Sequence, residues 1–291
     1  MNPSTFLRPF VLALCLVAAS FATPSVNANP GDAPTVHLVA IGDLDVGDDF
    51  GKKVAEDARN TVTTFEKAFA KAGKAKQLKT RLVLGKDVTP ENVLDGIAKL
   101  DMRKNDTLVV LYSGHGGMGK DRKHLLTFHH GDLSRERLLA GMKAKNPRLM
   151  ILLTDCCSAG IHAPSVVTKY EPRVMKDGDI MEWDTVNSLF LRHAGLVDLT
   201  AAEPGYCGKL DRQKAGSLFT NALLRILKTP HGELVRHLDK DGDGQMQWDE
   251  ILPQLRGLAA QYDRQQYQGA PQQAYATSLG RWMPAVPSAG R

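Results

Sequence analysis

Aromatic residues make up only 6% of the 291-residue sequence, too few for a platform on which nucleic-acid bases could stack. No stripe of one charge is present either. Lys and Arg number 37 against 32 Asp and Glu, a net charge of +5 that is scattered along the chain, so nucleic-acid binding has no specific support. No internal repeat is visible. The apolar run Phe10–Ala19 falls short of the ~20 residues that a bilayer requires, and Pro24 and Pro30 follow it, so stable membrane insertion is not expected. What remains is a composition of 43% hydrophobic and 24% charged residues, enough to bury a full core in one large domain or one domain plus a small module.

Arg8 precedes the apolar run, and small residues follow at Ala22 and at Val26-Asn-Ala28. That order fits a secretory signal over residues 1–28, with cleavage after Ala22 or Ala28, and predicts export to a periplasm or to the outside. Only four cysteines are present, and export would remove Cys15. Cys156, Cys157 and Cys207 would remain. An odd number in an oxidising compartment points to a free thiol with a use of its own.

The body alternates between buried strands and amphipathic helices. Thr35–Ile41 is apolar and β-branched, and Lys53–Ala72 then places Val54, Ala58, Val62, Phe65 and Phe69 near helical spacing. Thr80–Leu84 reads as a second strand, with Thr89 capping a helix that starts at Pro90. Asp106–Tyr112 and Arg148–Thr154 are too apolar to have a wet face. Leu133–Ala144 and Leu218–Leu227 read as helices and Leu196–Ala201 as a strand. The expected class is α/β: an open, mainly parallel sheet flanked by helices, with functional groups at the carboxyl ends of the strands.

Two strand ends carry reactive groups. "LVVLYSGHGG", Leu108–Gly117, sets His115 among glycines, and "LLTDCCSAG", Leu152–Gly160, sets two thiols after an acid. Neighbouring side chains on a strand point to opposite faces, so one of Cys156 and Cys157 packs while the other faces the crevice. A thiol and an imidazole at adjacent strand ends suit nucleophilic acyl transfer: the imidazole takes the thiol proton and returns it to the leaving amine. With no Cβ beside His115, the Gly116 N–H could approach an oxyanion together with the Cys157 N–H. Period-two alternation puts Asp155 on the same face as Cys157, as a docking point for a cation, and Asp43 or Asp45 could supply a second carboxylate. His124, His129 and His130 have no fixed ligand spacing and read as surface loop histidines.

Taken together these segments resemble the caspase and metacaspase superfamily of cysteine peptidases. Ser113-Gly114-His115-Gly116 looks like its catalytic-histidine motif, and Asp155-Cys156-Cys157 looks like the metacaspase form of its nucleophile motif. The resemblance covers about Thr35 to Lys228 and implies a caspase-like sheet, Cys157 as nucleophile, His115 as acid and base, and the amides of Gly116 and Cys157 as oxyanion hole. Metacaspases and paracaspases carry the acid at the Asp155 position and accept Arg or Lys before the cut bond. Cleavage of a polypeptide substrate after a basic residue is therefore expected. The segment Ile161–Asp184 lacks apolar periodicity, and self-cleavage is expected there, after Lys169, Arg173 or Lys176.

"DKDGDGQMQWDE", Asp239–Glu250, matches a twelve-residue EF-hand loop. Asp239, Asp241 and Asp243 would give single oxygens to Ca²⁺, Gly244 the turn, Gln245 its carbonyl and Glu250 both carboxylate oxygens. Flanking helices are expected, the second kinked at Pro253. The domain order predicted is a signal at 1–28, a caspase-like peptidase domain at 33–230, a small helical EF-hand module at 231–262, and at 263–291 a tail or a returning edge strand. The competing reading is a catalytically silent, calcium-binding scaffold on the same fold.

Overall fold

A computed structural model describes residues 33–42, 49–85, 88–158, 171–268, 272 and 274–283. In chain order the elements are β1 (Val36–Gly42), α1 (Asp49–Lys71), β2 (Leu78–Leu84), α2 (Pro90–Ala98), β3 (Thr107–Ser113), β4 (His115–Met118), β5 (His124–Phe128), β6 (Gly131–Ser134), α3 (Arg135–Ala144), β7 (Leu149–Asp155), α4 (Trp183–Val186), β8 (His193–Thr200), α5 (Leu218–Lys228), α6 (His231–Leu238), α7 (Trp248–Gln266) and β9 (Tyr275–Trp282). The signal-like segment, Asp43, Asp45 and Lys169 lie outside the described residues. No helix among the described residues is long and apolar enough to cross a membrane.

Six strands form one sheet in the order β2-β1-β3-β7-β8-β9, parallel except for β9, which runs antiparallel to β8. Every residue of β1 and β3 is buried, as befits strands covered on both faces. Alternate side chains divide the core in two. Leu38, Ala40, Val109, Leu111 and Ile151 face Phe65, Phe69 and Phe219 on the side of α1 and α5. Val39, Ile41, Val110 and Leu152 face Val93, Ile97, Leu138 and Met142 on the side of α2 and α3. The Thr89 side chain caps α2 by accepting from the Asn92 N–H at 3.1 Å, which satisfies a donor the helix itself cannot.

A second sheet, β4-β5-β6, is antiparallel and lies just beyond the carboxyl end of β3. The sequence reading did not include it. Its strands have four or five residues and include three Gly and two His, so they show neither a long apolar run nor clean alternation.

Helices α6 and α7 do not stand apart from the sheet. Leu234, Leu238, Met246, Trp248 and Ile251 belong to the same buried cluster as the sheet face under α1. Trp248 donates its indole N–H to the Leu189 carbonyl at 3.0 Å, and its ring meets Phe190 edge-on. Helix α7 runs through Pro253 as one element. The Arg173 backbone is held on both sides by the buried Gln254 side chain, at 2.9 Å and 2.8 Å.

One buried ion pair ties the first residue of α3 to the sheet. Arg135 reaches Asp198 of β8 with both terminal nitrogens, one of them at 2.8 Å, and Thr154 of β7 with Nε at 3.3 Å. The two side chains are 8% and 4% exposed, and Thr277 of β9 donates to the same carboxylate. Replacing Asp198 by Ala strands a guanidinium in the interior. A loss of roughly 3–5 kcal/mol in unfolding free energy is expected, measured by chemical denaturation; a loss under ~1 kcal/mol would contradict the buried-pair description.

Candidate active site

Strand register brings the two reactive ends together. Ser113 of β3 lies opposite Asp155 of β7, so His115 and Cys157 each stand two residues beyond the same registered pair. The Gly114 N–H donates to the Asp155 carbonyl at 3.1 Å and extends the ladder past the strands. His115 and Cys157 then line one pocket, with Phe50, Asp155, Gly208 and Ser217. Phe50 stacks on the imidazole at 4.0 Å and 10°, which fixes the plane of an otherwise exposed ring.

The thiols part as alternation requires. Cys156 is 3% exposed and packs into the core under α2 and α3, whereas Cys157 is half-buried and faces the pocket. Gly116 explains how closely the two loops approach. A Cβ there would sit 2.7 Å from the Cys156 Sγ and 2.8 Å from the Cys157 carbonyl oxygen, so glycine alone fits. No partner for the Cys157 N–H exists among the described residues, whereas the next amide, Ser158, donates to the Tyr206 carbonyl at 2.8 Å.

Cys207 is exposed and lies beside Cys157, not bonded to Cys156; all three cysteines are free. The Ser158–Tyr206 and Gly205–Ser158 backbone bonds hold its segment against the end of β7, and the Cys157 Sγ lies 3.9 Å from the Gly208 carbonyl. Burial, with the neighbouring Cys207 thiol, pushes the Cys157 thiol up to about 12. No hydrogen bond joins His115 to Cys157, and catalytic contacts commonly tighten only when substrate is bound.

Below the pocket are two buried carboxylates. Asp155 Oδ2 accepts from the Thr220 N–H at 3.0 Å, the Thr220 hydroxyl at 2.7 Å and the Ser217 hydroxyl. Asp57, from α1, accepts from the Ser113 hydroxyl at 2.7 Å and the Ser217 N–H at 2.9 Å. They are 4% and 1% exposed. Burial raises Asp155, and burial together with the charge of Asp155 raises Asp57 well above the usual carboxylate range. Lys209, which lines the same pocket, pairs with Asp263 at 2.8 Å, and Lys53 of α1 donates to the Asp211 carbonyl. A side chain at Gly208 would come within 3.3 Å of Asp155 Oδ1, so its absence keeps the approach to the acid open. Sequence reading missed Asp57. Its signal was a carboxylate on the buried arc of α1, between Val54, Ala58 and Thr61.

His124 departs from the reading of all three loop histidines as surface groups. His129 and His130 are exposed and pack on each other. The His124 ring is half-buried, with Nε2 3.0 Å from the Cys157 carbonyl oxygen and 3.4 Å from the Cys156 Sγ.

The acidic loop between α6 and α7 gathers carboxylate oxygens of Asp239, Asp241 and Asp243 within 4.8 Å of one another. Asp239 accepts from the Gly242 and Gly244 N–H groups at 2.7 and 2.9 Å, with both glycines at positive φ. Glu250 is 3% exposed and accepts from the Lys240 and Gln247 N–H groups at 2.6 and 3.0 Å. The Gln245 side chain accepts from the Ser188 hydroxyl. This donor set, hard oxygens on a tight glycine turn, fits Ca²⁺.

Among proteins with curated descriptions none matches the chain. Among solved structures it is similar to caspase-1 from Spodoptera frugiperda, at 14% identity over 87% of this chain and 91% of that one, with a TM-score of 0.52, a likeness of fold. Residues 52–246, well over half of the sequence and inclusive of both reactive strand ends, match the Caspase domain, and the chain belongs to that family of cysteine peptidases.

Proposed function

We propose that this chain is an exported, metacaspase-like cysteine endopeptidase that cuts polypeptides after Arg or Lys and binds Ca²⁺ through its acidic loop. The observation that carries this reading is one pocket with a thiol and an imidazole at its rim and a carboxylate pair beneath. As Cys157 attacks the scissile carbonyl, His115 takes its proton. The oxyanion so formed is held by the N–H groups of Gly116 and Cys157. His115 then gives the proton to the leaving amine, a thioester remains on Cys157, and water attacks it with His115 as base. The arginine side chain of the substrate passes Gly208 and meets Asp155, whose ionisation it favours.

Export rests on Arg8 and the apolar run Phe10–Ala19. Calcium would be held by Asp239, Asp241, Asp243, the Gln245 carbonyl and Glu250, drawing α6 and α7 into a fixed geometry against the sheet. One observation favours the silent scaffold instead: the thiol at about 12 is a poor thiolate source at rest.

Peptides that differ only in Arg, Lys or Asp before the reporter group test specificity. Arg and Lys are expected to be cut and Asp not, and Asp155→Ala is expected to lower kcat/KM for Arg by roughly 30- to 5,000-fold, the equivalent of about 2–5 kcal/mol for a desolvated ion pair. Because both carboxyls are raised, the acid limb of kcat/KM for Arg peptides should begin above the usual carboxylate range. Asp57→Asn removes one charge, so the limb should move to lower pH. Preference for the Asp peptide, or indifference to Asp155→Ala, would refute the pocket reading.

Calcium binding to the native state alone stabilises it by about 2.7 kcal/mol at a hundredfold excess over Kd. Chelation is therefore expected to lower the melting temperature, and Asp239→Ala to abolish the difference. Burial raises Glu250, and the ion needs it deprotonated, so the calcium shift should shrink as pH falls. Identical melting with and without chelator would remove the site.

A further inference from the structure

Cys157 has to present its thiol and its N–H to one substrate carbonyl, which requires its flanking peptides to be held still. The peptide that follows it is held at both ends. The Ser158 N–H donates to the Tyr206 carbonyl at 2.8 Å, and the Cys157 carbonyl oxygen lies 3.0 Å from His124 Nε2. Gly116 closes the third side, at a distance that no Cβ would permit.

We propose that His124 is a positioning residue: its Nε2–H donates to the carbonyl of the nucleophile Cys157 and sets the orientation of that residue for attack. The tautomer follows from the partners. A carbonyl oxygen can only accept, so the proton must sit on Nε2; a lone pair there would face the oxygen at 3.0 Å and be repelled. The Cys156 Sγ, at 3.4 Å, can accept or donate and adapts to either state. Burial and the Arg135 guanidinium lower the His124 pKa, which favours the neutral, singly protonated ring. Arg135 and Glu136 of α3 are the charged groups that bear on the ring from that side, with Arg122 among the residues of the neighbouring cavity. His124 starts β5, whose pairing with β4 sets Met118 opposite it and His115 opposite Thr127. The small antiparallel sheet thus carries the general base on one strand and the clamp on the next. His124 acts on Cys157 through its carbonyl and does not line the pocket shared by Cys157 and His115.

The consequence for rate rests on the peptidase reading; the clamp does not. In the full chain, His124→Leu removes the donor and His124→Gln retains one in an amide of similar reach. Displacement of a reacting group by even 1 Å can cost about a hundredfold. The expected result is a kcat about 10- to 100-fold lower for His124→Leu on an Arg peptide, KM within about twofold, an unchanged melting temperature, and recovery of most of the loss in His124→Gln. Equal kcat in wild type and His124→Leu, equal loss in both variants, or a loss confined to KM would overturn the role. Independently of turnover, imidazole ¹⁵N shifts should report an Nε2-protonated, Nδ1-bare ring near neutral pH. An Nδ1-protonated ring would overturn the clamp even in an active enzyme, whereas an Nε2-protonated ring in a chain without turnover would uphold the clamp and refute the peptidase reading.

Discussion

Two carboxylates share a buried space under the carboxyl ends of β3 and β7, and much of the surrounding structure is arranged to make that possible. Asp57 and Asp155 draw donors from Ser113, Ser217 and Thr220, which tie α1, β3, β7 and the start of α5 into one network. Burial of either acid without those donors would cost several kcal/mol, and both remain raised even with them. Perturbed carboxylates of this kind cluster at functional sites, and this pair lies beneath the thiol and imidazole at the strand ends.

The sheet was readable from sequence because parallel strands covered on both faces must be continuously apolar. Val36–Gly42, Thr107–Ser113 and Leu149–Asp155 are fully or almost fully buried, and their patterns admit little else. From there the placement of His115 and Cys157 followed, since an α/β sheet presents its chemistry at strand ends. What escaped has physical reasons. Strands β4, β5 and β6 are too short and polar for periodicity to show. Asp57 is one acid within an ordinary amphipathic helix, and its partner on β3 lies 56 residues away. Cys207 and His124 meet Cys157 across 50 and 33 residues of chain, contacts that only register and loop path decide.

The acidic loop is joined to the six-stranded sheet by packing. Met246 and Trp248 flank the turn and are fully buried, and Trp248 and Gln245 reach the residues that lead into β8. Order in the loop is thus order in the core beneath α1 and α5, the helices that carry Asp57 and Thr220.

The central claim is that Cys157 is a nucleophile activated by His115. An arginyl peptide with a thiol-directed electrophile tests it directly, with mass spectrometry to locate the adduct. Modification is expected at Cys157 well ahead of the more exposed Cys207, lost in Cys157→Ala and slowed by at least about a hundredfold in His115→Ala. If Cys157 reacts no faster than Cys207, or if His115→Ala reacts as wild type, the pocket is not a catalytic site.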